Sequence, residues 1–143
     1  TTNVYRERQA KLKAGAKARG FDVLLVTPST NLAYSTGLSM PRSERLTALI
    51  LFTDGPAVLV TPSFEESNVT RDATVDDVKT WREEEDPIAL AAKLFAKKTV
   101  GVEGSTAYST ASLLASLCLL LTAASATAGC ETRRASSSAG AIW

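Results

Sequence analysis

The segment LTALILFTDGPAVLVT, residues 46–61, decides the fold predicted for this chain. Two runs of apolar residues flank Asp54 and Gly55, and this arrangement is typical of a β-hairpin. Each run is continuously apolar instead of alternating, so both strands are expected to be covered on both faces. The segment therefore predicts a hairpin inside a sheet that carries helices on either side.

Helices and strands alternate outward from this hairpin. Helices are predicted at residues 3–19, 63–73, 87–98 and 106–121, and residues 29–37 are predicted as a short helix or a turn. Further strands are predicted at 21–27, 75–81 and 99–104. Alternation with one hairpin indicates an α/β fold. We expect a mixed, mostly parallel β-sheet with one hairpin, flanked by helices on both faces.

Residues that start and stop helices support these bounds. Ser29 or Thr30 is an expected N-cap of the second helix, and Asp86 is an expected N-cap of the fourth. Gly20 and Gly37 provide the left-handed exits that often end helices.

Composition places the chain among soluble globular domains. Its 143 residues fit one domain, with 45% apolar and 22% charged residues. The formal net charge is +1, which gives no electrostatic reason to expect nucleic acid, a membrane surface or an acidic substrate as partner.

The C-terminal tail differs from the rest of the chain. Sixteen of the twenty residues in 122–141 are Ala, Ser, Thr or Gly. Such a segment gains little from burial, so we expect weak packing. The predicted division is a domain over 1–121 and an Ala/Ser/Thr-rich tail over 122–143.

A cytoplasmic location is expected. The chain starts with charged residues and shows no signal peptide, and the leucine-rich core 113–121 is shorter than the ~20 residues of a membrane-spanning helix. Cys118 and Cys130 are too few for a disulfide framework, so both are expected to be reduced.

Groups for independent catalysis are not evident. The sequence has no histidine, which excludes Ser–His–Asp and Cys–His catalysis and an imidazole metal site within it. The acidic run REEED at 82–86 is consecutive, so its carboxylates are expected to splay apart around a solvated helix entrance. We therefore expect no metal or other cofactor in this chain.

The order of several short motifs resembles the N-terminal domain of the creatinase, prolidase and aminopeptidase P family, the Xaa-Pro metallopeptidases. The resemblance covers residues 6–108, and its matching positions are Gly20, Phe21, Asp22, Asn31, Tyr34, Thr36, Gly37, Asp54, Gly55, Thr61, Pro62, Glu65, Glu66, Gly101 and Glu103. Each also has a local structural explanation. Asn31 and Gly37 suit a turn, and Tyr34 could bury its ring under the sheet.

This resemblance implies an activity that belongs to the parent enzyme. The family hydrolyses peptide bonds that precede proline, or creatine in one branch, with a divalent metal (Mn, Co or Zn) held by a second, C-terminal domain. In the tail, Arg133, Arg134 and Ser137 loosely fit the segment leading into that domain, whereas other positions depart from it. The chain alone is thus expected to be a non-catalytic N-terminal domain and to be inactive.

The resemblance also implies a role in dimers. The family's N-terminal domain helps dimerisation and reaches over the catalytic pocket of the neighbouring subunit, often through the loop after the Tyr-x-Thr-Gly turn. Here that loop is LSMPRSERL, residues 38–46. Arg42 and Arg45 could bind the carboxylate of a proline-containing dipeptide, beside Tyr34 and an apolar wall from Met40.

Three alternatives remain open from the sequence. The loop arginines could simply pair with Glu44 on the surface. The chain could be a stand-alone binding module, since a similar domain in a histone chaperone subunit binds without catalysis. An autonomous hydrolase would require turnover of Xaa-Pro dipeptides by the purified chain, and we expect none.

Overall fold

The computed structural model describes residues 2–41, 45–94, 98–102 and 131–134. The α-helices are α1 (Thr2–Ala18), α2 (Thr30–Thr36), α3 (Glu66–Asp72) and α4 (Pro87–Leu94), with a 3-10 helix at Ser63–Glu65. The strands are β1 (Val23–Val26), β2 (Ala48–Phe52), β3 (Ala57–Pro62), β4 (Asp77–Trp81), β5 (Thr99–Val102) and β6 (Glu131–Arg134). The helix predicted at 106–121 and both cysteines lie outside the described residues.

The six described strands form one sheet in the order β4-β3-β2-β1-β5-β6. Strand β2 is antiparallel to β1 and to β3, whereas the remaining neighbours are parallel. Five strands therefore run in one direction and β2 runs in the other. The predicted mixed, mostly parallel sheet with one hairpin is confirmed.

Apolar residues of the sheet are divided between two faces by the alternation of side chains along each strand. One face packs against α4, and its members include Val23, Leu25, Ile50, Val58, Val60 and Ala91. The other packs against α1, α2 and α3, and its members include Leu12, Leu24, Leu32, Leu49, Leu59 and Val69. Because both faces are covered, β1 is buried along its whole length, as its continuously apolar sequence predicts.

The β2–β3 hairpin is confirmed, but its turn has no left-handed glycine. The Gly55 N–H donates to the Phe52 carbonyl at 3.3 Å, and the Phe52 N–H donates to the Pro56 carbonyl at 3.2 Å. Among the described glycines, positive φ occurs at Gly20 and Gly37 and not at Gly55. Residues 53–56 thus form a four-residue connection instead of the two-residue turn that Asp-Gly pairs favour.

Helix caps follow the sequence closely. The Ser29 hydroxyl accepts the Leu32 N–H at 3.4 Å, and Gly37 ends α2 with a φ of 82°. The Asp86 Oδ1 accepts the Ile88 N–H at 2.9 Å at the start of α4. These contacts confirm Ser29, Gly37 and Asp86 in their predicted roles.

Strand β6 corrects one expectation for the tail. Glu131–Arg134 pairs in parallel with β5, with Thr99 opposite Glu131 and Val102 opposite Arg134. These four residues fall within 122–143, where weak packing was expected, yet they form the edge of the sheet. Backbone pairing with β5 supplies the hydrogen bonds, so the strand needs no apolar sequence of its own.

The helix α1 is fastened to the rest of the domain by a buried amide. The Gln9 side chain is 2% exposed. Its Nε2 donates to the Ser35 carbonyl at 2.9 Å and to the Thr74 carbonyl at 2.7 Å. One side chain thereby joins α1, α2 and the α3–β4 connection.

Within the described residues, no helix combines the length and the apolar character needed to cross a membrane. The leucine-rich segment 113–121 lies outside those residues.

Candidate functional site

The segments that follow parallel strands lie at one end of the sheet, which we call its carboxyl edge. Strands β3 and β4 end at this edge, and β2 begins there because it runs in the opposite direction. In open α/β sheets, ligands bind beyond the carboxyl ends of the strands. We use the name arm for residues 38–45, which enter β2 at this edge.

Both ends of the arm are fixed in the core, on opposite faces of the sheet. Leu38 is 4% exposed and packs on the α1 side, and its N–H donates to the Thr36 hydroxyl at 3.1 Å. Leu46, just after the arm, packs on the α4 side, and its carbonyl accepts the Trp81 Nε1–H at 3.0 Å. The two described ends of this segment, Leu38 and Leu46, therefore pack on opposite faces of the sheet.

Arg45 is held by side chains from two neighbouring strand ends. Its Nε donates to the Glu83 Oε1 at 2.6 Å, and the two side chains are 52% and 61% exposed. The Arg45 Cζ lies 5.5 Å from the centre of the Phe64 ring, close enough for a cation–π contact. Phe64 is itself 61% exposed. A guanidinium and an apolar ring thus lie side by side and accessible to a ligand.

The other residues predicted for the site are placed apart from this group. Tyr34 on α2 is 42% exposed, and the Arg8 Cζ from α1 lies 4.4 Å from its ring centre. The expectation that this ring is buried under the sheet was wrong, because α1 supplies Arg8 as an exposed packing partner. Met40 packs against the core on the α1 side. Arg42 lies outside the described residues.

Sequence reasoning missed the two partners of Arg45. Glu83 was assigned to a solvated helix entrance, and Phe64 to an ordinary helix position. Each follows a strand by two residues, Phe64 after Pro62 and Glu83 after Trp81. Since β3 and β4 are parallel neighbours, residues just beyond them come together at one edge. That shared position becomes visible only once the strand order is known.

The carboxylates of the acidic run bind separate partners. The Glu85 carboxylate accepts the Arg82 N–H at 2.6 Å, Asp86 caps α4, and Glu83 binds Arg45. These carboxylates point to different partners, as their consecutive positions predict. Over the described ranges, no three His, Cys, Asp or Glu side chains cluster closely enough to hold a metal ion.

A shallow cavity of about 330 Å³ lies at the opposite end of the sheet, where the parallel strands begin. It is lined by Asp22, Phe52, the hairpin residues 53–56 and Lys98. Two lysines of α1 border the hairpin, since Lys13 donates to the Gly55 carbonyl at 2.6 Å and Lys17 pairs with Asp54 at 2.8 Å. These two bonds connect α1 to the hairpin, so both lysines have a structural role.

Comparison with known proteins agrees with this architecture. The sequence model of the Creatinase/Prolidase N-terminal domain family matches residues 8–134. The structure of dipeptidase PepE from Mycobacterium ulcerans is 27% identical with a TM-score of 0.70, over 92% of this chain and 35% of that one. The creatinase/prolidase N-terminal domain of an X-Pro dipeptidase from Streptococcus pyogenes is 14% identical with a TM-score of 0.73, over 90% and 92% of the two chains.

The coverage separates two kinds of matching structure. The chain spans about a third of the length of the longer dipeptidase and prolidase structures that it matches. It spans 86% of the N-terminal domain of an Xaa-Pro dipeptidase from Lactobacillus brevis, with 19% identity, a TM-score of 0.70 and 76% of this chain covered. The comparison with curated protein sequences found no match.

Proposed function

The chain belongs to the creatinase/prolidase N-terminal domain family, and we propose that it serves a metal-dependent Xaa-Pro dipeptidase or aminopeptidase as a non-catalytic domain. In this proposal the domain contributes to a homodimer and covers the substrate pocket of the partner subunit with its arm. The peptide-bond hydrolase activity belongs to the catalytic domain of the complete metallopeptidase. A cytoplasmic location belongs to the same proposal.

One observation carries the proposal. The Arg45 guanidinium is half exposed beside the Phe64 ring, at the sheet edge that open α/β folds use for ligands. A guanidinium can bind a carboxylate through two parallel hydrogen bonds, and an adjacent ring provides apolar contact. A dipeptide ending in proline offers both groups, a free carboxylate and an apolar ring.

The proposal divides the work between two domains. Arg45, with Arg42 of the same arm, would position the substrate carboxylate, whereas Met40 and Tyr34 lie apart from Arg45 and are given no contact with the carboxylate. The divalent metal, Mn, Co or Zn, would be held by the catalytic domain and would polarise the scissile bond there. The part of this chain is to bind and orient the substrate and to exclude water from the pocket.

The test uses a chimeric Xaa-Pro dipeptidase in which this chain replaces the N-terminal domain, after activity of the unmutated chimera is established. Arg45→Ala is expected to raise KM for an Xaa-Pro dipeptide by roughly tenfold, the effect of losing about one charged hydrogen bond, with little change in kcat. Arg71→Ala is the matched control, because Arg71 is an exposed arginine on α3 paired with Asp72.

An unchanged KM in Arg45→Ala would remove the arm from the substrate pocket. That result would favour a second candidate function, a stand-alone binding module without catalysis. Support for this alternative comes from the solved N-terminal domains, which match this chain over most of their own length and show the fold as a separate unit. A homodimer that forms without any catalytic domain would be compatible with either candidate.

A further inference from the structure

Three groups from distant parts of the sequence meet at the arm. Arg45 precedes β2, Phe64 follows β3, and Glu83 follows β4. Strand pairing brings them together, because the start of β2 and the ends of β3 and β4 share one edge of the sheet. Strand pairing thus brings the three residues to the same end of the sheet, although none of them belongs to a strand.

The contact between Arg45 and Glu83 has the form of a ligand contact. The Glu83 carboxylate binds the guanidinium at 2.6 Å, as the carboxylate of an external ligand would. Phe64 lies against the same guanidinium, with its ring 5.5 Å from Cζ. Glu83 therefore occupies part of the surface that a carboxylate beside an apolar group would use.

The Arg45–Glu83 ion pair is exposed enough for another carboxylate to replace Glu83. Arg45 and Glu83 are 52% and 61% exposed, so water and salt screen their attraction. An exposed ion pair of this kind is weak, and a second carboxylate can compete for the guanidinium at little cost. Both side chains lie on segments that the strands hold in place, so displacement needs no movement of the sheet.

We propose that Glu83 is a built-in competitor for the carboxylate site of Arg45, displaced when a ligand carboxylate binds. This inference rests on the proposed function, in which Arg45 binds the free carboxylate of a peptide ending in an apolar ring. Glu83 holds the guanidinium beside Phe64 in the empty site and lowers its affinity for carboxylates in general. Contact with the Phe64 ring offsets this loss for a peptide that ends in a ring-bearing residue, whereas a simple carboxylate has no such compensation.

The size of the effect follows from the exposure of the pair. Removal of the Glu83 charge should strengthen carboxylate binding at Arg45 by about two- to fivefold, the range that exposed ion pairs cover. Glu84 provides the matched control, since it is the adjacent exposed carboxylate on the same connection.

The experiment measures binding at Arg45 directly in the complete chain. The Nε–Hε resonance of Arg45, assigned by its loss in Arg45→Lys, is followed by NMR during titration with N-acetylproline at fixed ionic strength. The wild-type chain is compared with Glu83→Gln and Glu84→Gln, and Glu83→Ala serves as a second variant should Glu83→Gln fold poorly. N-acetylproline amide, which lacks the carboxylate, is titrated in parallel.

The expected result is a dissociation constant two- to fivefold lower in Glu83→Gln than in wild type, with Glu84→Gln unchanged and no response to the amide. Equal or weaker binding in Glu83→Gln would overturn the inference, and so would the absence of any Arg45 response in every variant. These failures differ from failure of the proposed function, which appears as an unchanged KM for Arg45→Ala in the chimeric enzyme.

Discussion

The Asp76 carboxylate accepts the backbone N–H of Ala57 at 2.7 Å and joins the start of β4 to the start of β3. Its other oxygen binds the Arg6 Nη1 at 2.8 Å. The hydrogen bond from Ala57 is the main cause that lowers the pKa of Asp76 below its usual value. Partial burial opposes this shift, and the charges of Arg6 and Lys13 add to it.

Replacement of Asp76 should destabilise the fold in a pH-dependent way. We expect Asp76→Ala to lower the free energy of unfolding by about 1–2 kcal/mol at pH 7, the size of a partly exposed charged hydrogen bond. Because the pKa of Asp76 is lower in the folded state, its contribution is complete above the unfolded pKa near ~3.9. The contribution is lost as pH falls through the folded pKa.

Urea unfolding at pH 7 and at pH values below 4 measures this difference. The difference in unfolding free energy between wild type and Asp76→Ala should decrease as the solution becomes more acidic. Glu7→Ala, which removes an exposed carboxylate on α1, should change stability by less than about 0.5 kcal/mol at pH 7. If this difference in unfolding free energy is unchanged at low pH, the charge of the Asp76 carboxylate is not the source of the stabilisation.

The buried amide of Gln9 should be costly to remove. Gln9→Leu leaves the carbonyls of Ser35 and Thr74 without their donor in a buried region, so we expect a loss of about 2–4 kcal/mol. Chemical denaturation measures it, with Lys11→Leu on the exposed face of α1 as a control for the added leucine. Equal unfolding free energies of Gln9→Leu and Lys11→Leu would mean that water donates to the Ser35 and Thr74 carbonyls in place of the Gln9 amide.

Gly37 should not tolerate a side chain. Its φ of 82° suits glycine, and a Cβ there would lie 2.8 Å from the Tyr5 Cζ. Gly37→Ala is expected to cost about 1–3 kcal/mol through backbone strain and displacement of the Tyr5 ring. Gly55→Ala is the comparison, since Gly55 lacks positive φ and its nearest contact is the Phe52 Cβ at 3.1 Å. Thermal unfolding that ranks Gly55→Ala as the more damaging change would contradict this.

The indole of Trp81 should position the start of β2 and, with it, Arg45. Trp81→Phe removes the donor to the Leu46 carbonyl, so we expect a loss of about 1–3 kcal/mol in unfolding free energy. A shift of the Arg45 Nε–Hε resonance should accompany it. Retention of both the wild-type stability and the resonance position would show that packing alone holds this end of the arm.

The strands that are buried on both faces were predictable because neighbouring residues in the sequence determine them. The continuous apolar runs of β1, β2 and β3 can be satisfied only by two covering layers, and the caps Ser29 and Asp86 act within three residues of their own positions. Nearby residues therefore carried enough information for the layered sheet, the hairpin and the helix ends.

Features that depend on strand neighbours were not predictable. The sequence cannot show that Glu83, 38 residues beyond Arg45, will bind it, because this requires knowing that β3 lies between β2 and β4. Strand β6 has no apolar run and forms through backbone pairing at the sheet edge. The exposed face of Tyr34 likewise depends on where α1 places Arg8.

The common direction of five strands gives the domain two ends with different contacts. At one end, the Asp76 bond to Ala57 and the bond from Lys13 of α1 to the Gly55 carbonyl hold the connections to the rest of the domain. At the other end, the side chains of Arg45, Phe64 and Glu83 are exposed to solvent. Substitutions of these exposed side chains should cost little stability, so under the proposed function related domains could acquire new specificities on an unchanged framework.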